Sequence, residues 1–184
     1  MIRIDLTQLM PGDIIALRSL TSYGKLIRAV LGSYTNHNGL AIRKEGCWYI
    51  GEAVEPISRL TTVHAYEAEV NAGAKLRVWR VPNVTPEIRE QVARYFMEHL
   101  IGKKYPLSVV RLWVFRFVNS LPWEIRGDWC TRLVWDAWGT VGPEIFDRPD
   151  GKRKKNPTPR TLENRLVAGI IRDVTDQIVV SSTP

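Results

Sequence analysis

Cys130 stands at the head of a run whose residue types and spacing suit a nucleophile: Asp128-Trp129-Cys130-Thr131-Arg132-Leu133-Val134-Trp135-Asp136-Ala137-Trp138-Gly139. Asp128 is a good helix N-cap, with a side-chain oxygen able to accept from the free N–H groups of the first turn. Leu133, Val134, Ala137 and Trp138 follow the cysteine at i+3, i+4, i+7 and i+8, so the sulfur tops the buried stripe. Gly139 is placed to stop the helix. A thiol in the first turn feels the positive end of the helix dipole, which favours the nucleophilic thiolate. The plainer reading of the same residue is a small core hydrophobe. His37 and Glu52 are the other pair with chemistry to offer.

The elements that would position that pair are two strand-like runs, 37–42 and 47–53, flanking Arg43-Lys44-Glu45-Gly46. A hairpin centred between Lys44 and Glu45 sets His37 directly opposite Glu52, on one face, with Cβ atoms about 5 Å apart. A carboxylate beside an imidazole fixes its tautomer and stabilises its charged form. A surface cross-strand pair without chemistry is the alternative. A cysteine at a helix N-terminus and a histidine on a sheet, backed by a carboxylate, make a Cys-His-acid set, and its parts need meet only in the fold.

The rest of the chain supplies a frame. A short strand or capping segment in 1–10, the turn Pro11-Gly12-Asp13 and a buried strand at 14–17 come first. A helix over 22–32 follows, with Leu26, Ile27, Val30 and Leu31 on one face. Residues 56–64 read as a loop and short strand, and 75–81 alternate as a half-buried strand that Pro82 ends. Pro86 opens a helix that runs through Leu100 to Gly102. The apolar stretch 107–118 reads as a buried helix, with a lid or an interfacial helix as alternatives. A loop covers 139–159, a short helix begins at Thr158-Pro159, and a last strand spans 170–174. There are no internal repeats, so the expectation is one α+β domain over 1–184.

Composition bounds the function. The chain has 184 residues, 45% of them hydrophobic and seven of them Trp, enough for a sizeable core and a wide cleft. No segment reaches the roughly 20 apolar residues needed to cross a bilayer, and the N-terminus does not resemble a secretory signal. The expected compartment is a reducing cytoplasm. With two cysteines there, a structural disulfide is not expected and Cys130 stays free. The net charge of +7 is concentrated in part at Lys152, Arg153, Lys154 and Lys155, which read as a solvated loop or as a contact for an anionic polymer. Cysteine and histidine spacing offers no zinc site, and no glycine loop cradles phosphate. No cofactor is expected. His64 is an alternative base with a surface role as its plainer reading, His99 complements a helix C-terminus, and Cys47 reads as structural.

Five short motifs occur in order: Pro11-Gly12-Asp13-Ile14-Ile15, Asn36-His37-Asn38-Gly39-Leu40-Ala41-Ile42, Ile50-Gly51-Glu52-Ala53, Gly102-Lys103-Lys104-Tyr105 and Trp129-Cys130-Thr131-Arg132-Leu133-Val134. This order resembles a circularly permuted papain-like pattern, that of the YiiX-like hydrolases. They are a permuted branch of the NlpC-type cell-wall peptidases, with lecithin-retinol acyltransferase among the relatives. The resemblance spans about residues 10–165. It implies a permuted papain-like (NlpC-type) α+β fold with an antiparallel sheet packed on the cysteine helix. It also implies Cys130 as nucleophile, His37 as general base, Glu52 as the orienting residue, and Tyr105 lining the site or its oxyanion hole. The backbone N–H of Cys130 is a further oxyanion donor. Two departures stand out: Thr131-Arg132 replaces the usual Ser-Glu after the cysteine, and Asn38 replaces a small apolar residue after the histidine.

The expected function is a thiol hydrolase of the amidase or endopeptidase type, cleaving an amide or ester, with peptidoglycan stem peptides first among substrates. A lipid acyl hydrolase or acyltransferase is the second reading. A non-catalytic module holding an anionic polymer is the rival from another class. A bacterial or phage source fits a cell-wall enzyme without an export signal. The oligomeric state is left open.

Overall fold

The computed structural model describes residues 1–54, 56–104, 130–141 and 157–181. The chain runs β1 (Ile2–Ile4), β2 (Ile14–Arg18), α1 (Ser22–Leu31), β3 (His37–Lys44), β4 (Cys47–Val54), β5 (Ile57–Thr62), α2 (Val63–Asn71), β6 (Lys75–Arg80) and α3 (Pro86–Tyr95). A π-helical turn, Phe96–Leu100, prolongs α3. Then come α4 (Cys130–Val141), α5 (Pro159–Val167), β7 (Arg172–Asp173), α6 (Thr175–Ile178) and β8 (Val179–Ser181). Six strands form one antiparallel sheet in the order β5-β4-β3-β2-β6-β7, and β1 pairs with β8 in a second, two-stranded sheet. The architecture is α+β, as the sequence implies.

Helices cover both faces of the large sheet, and strand alternation decides which residue meets which helix. Ile14, Ala16, Leu40, Ile42 and Trp79 share a cluster with α3 and α4. Ile15, Leu17, Ala41, Ile50, Leu76 and Val78 share the other with α2. Strand β2 is therefore apolar on consecutive positions, as a strand covered on both sides must be.

Local chemistry sets the helix ends near the site. Thr21 Oγ1 accepts from Gly24 N–H at 3.0 Å to start α1. Gly32 ends it in the left-handed region, with φ +61°. In α5, the Thr158 N–H donates to Thr161 Oγ1 at 3.0 Å in a capping box. That helix also ties down the segment entering β3. Glu163 accepts from the N–H of Tyr34 (3.1 Å) and from the N–H and hydroxyl of Thr35 (2.8 and 2.9 Å).

Several expectations change. The hairpin turns on Glu45 and Gly46, not between Lys44 and Glu45. Both residues have positive φ (51° and 79°), as a two-residue I′ turn requires. Lys44 therefore pairs with Cys47, and Gly39, not His37, stands opposite Glu52. Because each partner moves by two residues, side-chain faces are preserved. His37 and Glu52 stay on one face as diagonal neighbours.

The stretch 56–64 is β5 followed directly by the start of α2, whose Val63, Tyr66 and Val70 make a buried stripe at i, i+3 and i+7. Gly139 does not stop α4, which runs to Val141. Burial of Trp135, Ala137 and Trp138 outweighs the cost of about 1 kcal/mol for an interior glycine. The helix expected to reach Gly102 changes to π-helical pairing at Phe96, and the strand expected over 170–174 is two residues long.

Candidate functional site

The site forms where the start of β3 meets the start of α4. Strand β3 presents consecutive residues to opposite faces there. Asn38 turns toward α4, and its amide Nδ2 donates to Thr131 Oγ1 at 2.9 Å. His37 turns toward α2 and Glu52, with its Nε2 2.8 Å from Glu52 Oε2. Cys130, in the first turn of α4, is buried. Its sulfur lies 4.0 Å from Thr131 Oγ1, and the His37 ring and the Asn38 backbone N–H both favour its thiolate. With Nε2 held by Glu52, Nδ1 is the ring nitrogen left for the thiolate.

Glu52 is 4% exposed, and four donors surround its carboxylate. Oε2 accepts from His37 and from the Tyr66 hydroxyl; Oε1 accepts from Thr61 Oγ1 and, at 3.2 Å, from Arg59 Nε. Gly39 makes this packing possible. A Cβ there would strike Ile50 and lie 3.5 Å from the Tyr66 hydroxyl.

The electrostatics follow from this wiring. Burial opposes a charge on His37, but hydrogen bonds and attraction from the Cys130 thiolate and Glu52 prevail and hold its pKa up to about 10. Burial also opposes ionised Glu52, yet its bonds to His37, Thr61 and Tyr66 bring its pKa down to about 2. The thiol of Cys130 is likewise lowered, against burial, by the His37 ring and the Asn38 N–H. Tyr66 is raised well above 10, by burial first and then by Glu52, so its hydroxyl stays a donor. The wiring favours the thiolate of Cys130, the imidazolium of His37 and the ionised carboxylate of Glu52.

The structure thus brings Cys130, His37 and Glu52 together, although Glu52 reaches His37 on the diagonal. Tyr105 lies outside the described residues, as do Asp128, the apolar stretch 107–118 and Lys152–Lys155. Cys47 is free and exposed at the start of β4. His64 is at the surface, 2.7 Å from Glu67, and far-exposed His99 sits 3.9 Å from Glu98 in the last turn of the π-helical segment.

Sequence reading missed Arg59, Thr61 and Tyr66. The first two recur at i and i+2 on β5, with Arg59 opposite Glu52, a signal that a third strand in the hairpin would have exposed. Tyr66 lies in α2, beyond the 56–64 stretch, where the sequence reading places no element. The two departures from the family pattern, Asn38 and Thr131, turn out to be hydrogen-bonded to each other.

No protein-family model and no curated protein matches the chain. Among solved structures it is similar to the metalloprotein YiiX of Escherichia coli O157:H7, described as DUF1105. The likeness has 25% identity over 73% of this chain and 67% of that one, with a TM-score of 0.56. The class is an α+β protein built on an antiparallel sheet, and the likeness supports a YiiX-like family. The metal in that description concerns YiiX. Among the described residues no three or more His, Cys, Asp or Glu side chains gather as a metal site. No helix among them is long and apolar enough to cross a membrane.

Proposed function

We propose that this chain is a cysteine hydrolase that cleaves an amide or ester bond, acting as one domain over 1–184 with a papain-like fold in permuted order. The observation that carries the reading is an imidazole held by a buried carboxylate at 2.8 Å and lowering the pKa of a buried thiol in the first turn of a helix. In that order the histidine strand β3 precedes the cysteine helix α4. Peptide amides, peptidoglycan stem peptides included, are the favoured substrate class.

Attack by the Cys130 thiolate on the carbonyl carbon forms a C–S bond and a tetrahedral oxyanion, toward which the Cys130 backbone N–H is a donor. Imidazolium His37 gives its proton to the leaving nitrogen, the C–N bond breaks, and a neutral amine departs. His37 then takes a proton from water as the oxygen attacks the thioester carbon. The C–S bond breaks, thiolate and imidazolium are restored, and the carboxylic acid leaves. Glu52 touches no reacting atom; it is a positioning residue that fixes the ring and favours its charged form.

The test is the rate of iodoacetamide labelling at each cysteine against pH. The expected result is fast labelling of Cys130 well below pH 8, slowed in His37→Ala, with Cys47 behaving as an ordinary thiol. An inert Cys130, or one indifferent to His37, would overturn the reading.

A further inference from the structure

A cavity of about 340 Å³ lies between α1, α2 and the end of the sheet, with His37, Glu52, Arg59, Thr61, Tyr66 and Glu69 among its walls. It lies behind the reactive pair: His37 turns Nε2 toward Glu52 on this side, and Cys130 is not part of the lining. A molecule held there meets the carboxylate side of the imidazole and not the sulfur. The cavity is therefore a binding space separate from the place where a bond would be cleaved.

Its charges define what it can hold. His37 and Glu52 balance each other at 2.8 Å. One cation and one anion remain in the lining, Arg59 and Glu69. Arg59 is half-exposed, with 54% of its side chain accessible, and it uses Nε on Glu52 Oε1 at 3.2 Å. Its Nη1 and Nη2 groups have no partner among the described residues. Two parallel N–H groups of a guanidinium match a carboxylate in a bidentate pair. Glu69 stands one turn along α2 from Tyr66, exposed, and near enough for its charge to act on the Tyr66 hydroxyl. Among the described residues it pairs with no cation, Arg59 included.

Two opposite charges that share a cavity without closing on each other suit a molecule that carries both. A dianion such as phosphate would be repelled by Glu69, and a cation alone by Arg59. Leu17, Ile27, Ala53 and Val54 add apolar wall for a carbon skeleton. A volume near 340 Å³ is at the small end of ligand sites, which run roughly from 300 to 1,000 Å³, and suits a molecule of one or two residues.

We propose that this cavity binds a free amino acid or dipeptide as its zwitterion, with the carboxylate on the Arg59 guanidinium and the ammonium on the Glu69 carboxylate. Because Arg59 also donates to Glu52, the bound molecule is linked to the imidazole through two side chains. Binding involves no covalent step and does not depend on the hydrolase reading given above.

The test is isothermal titration of full-length Cys130→Ala protein, so that no probe is consumed. The probes are L-leucine and glycyl-L-leucine, each beside its C-terminal amide and its N-acetyl form. At least one of the two zwitterions should bind saturably, and blocking either of its ends should weaken it roughly tenfold or more. Arg59→Gln should weaken the zwitterion and the N-acetyl acid and leave the amide unchanged, whereas Arg59→Lys should keep part of the affinity. Glu69→Gln should weaken the zwitterion and the amide and leave the N-acetyl acid no weaker. Urea midpoints check that each variant is folded. No saturable binding of either zwitterion at millimolar concentration would overturn the inference. So would an N-acetyl acid that binds as tightly as its zwitterion, or an affinity that survives both Arg59→Gln and Glu69→Gln. A Cys130 inert to iodoacetamide in wild type would overturn the hydrolase reading and leave this inference standing.

Discussion

Two buried carboxylates stand at opposite ends of this molecule's chemistry. Asp13, fully buried after the Pro11-Gly12 turn, accepts from Arg80 Nε and Nη2 at 2.8 and 2.6 Å and from the Met10 N–H at 2.9 Å, with Arg89 Nη1 3.5 Å away. Arg89 also donates to the carbonyls of Val81 and Pro11 and lies over the Trp138 ring, whose Nε1 donates to Gly12 O at 3.1 Å. Glu52 is almost as deeply buried, but its principal partner is an imidazole. A guanidinium keeps its proton at any pH at which proteins work, whereas an imidazole does not. The first cluster is therefore a fixed brace joining the sheet to α3 and α4. The second has a member able to gain and release a proton, and that member touches a sulfur. Burial and pairing alone do not mark a reactive site; a titratable partner beside a nucleophile does.

Removing each carboxylate should separate the two clusters. Asp13→Ala leaves arginines buried without their anion and should cost about 3–5 kcal/mol in urea unfolding, the largest loss of stability expected here. Cys130 in the folded fraction should still alkylate as in wild type. Glu52→Gln keeps the volume and removes the charge. Its main effect should be kinetic: alkylation of Cys130 at pH 6 slowed about tenfold to a hundredfold, equivalent to about 1.4–2.7 kcal/mol. If Asp13→Ala slows alkylation as much as Glu52→Gln does, the distinction between brace and reactive site fails.

The pH dependence of stability sharpens the comparison. His37 is held up to about 10, so its contribution is complete below its ordinary 6.5 and is lost as pH rises through about 10. Glu52 is held down to about 2, so its contribution is complete above its ordinary 4.5 and is lost as pH falls toward 2. Cys130, held below its ordinary 9, offsets the His37 loss until pH passes 9, so urea midpoints should decline as pH falls below about 4.5 and again as it rises from about 9 to 10, and His37→Gln should remove the alkaline decline. A wild-type midpoint flat from pH 7 to 10.5 would contradict the assignment of the imidazolium.

Smaller effects test the supports. Asn38→Ala should cost about 1–3 kcal/mol and slow Cys130 alkylation, because Thr131 loses its partner and the strand its grip on the cysteine turn. A cycle with Thr131→Val should give a coupling of about 0.5–3 kcal/mol; zero coupling would rule out the clamp. His64→Ala should change stability by no more than about 0.5 kcal/mol and leave alkylation alone. Its contact with Glu67, at 2.7 Å, is as short as that of His37 with Glu52, but the ring is 88% exposed. Equal effects at His64 and His37 would show that distance, and not burial beside the thiol, is what matters.

What the sequence determined by itself is local. Apolar spacing after Cys130, the apolar face of the helix over 22–32, Pro86 at the head of α3 and the alternation around the hairpin are short-range consequences of 3.6- and 2-residue periodicity. Same-face placement of His37 and Glu52 was legible for that reason, because a two-residue error in register leaves parity intact. The tertiary structure alone decided the rest. Whether the turn fell at Lys44-Glu45 or Glu45-Gly46 depended on which residue took positive φ, and the exact neighbour of Glu52 changed with it. The donors Arg59, Thr61 and Tyr66 come from a third strand and a helix, and Asn38 meets Thr131 across 93 positions of sequence. Such contacts obey no local period: they exist because burying a charge or an amide requires partners, and folding supplies them from whichever segments the sheet and helices bring within reach.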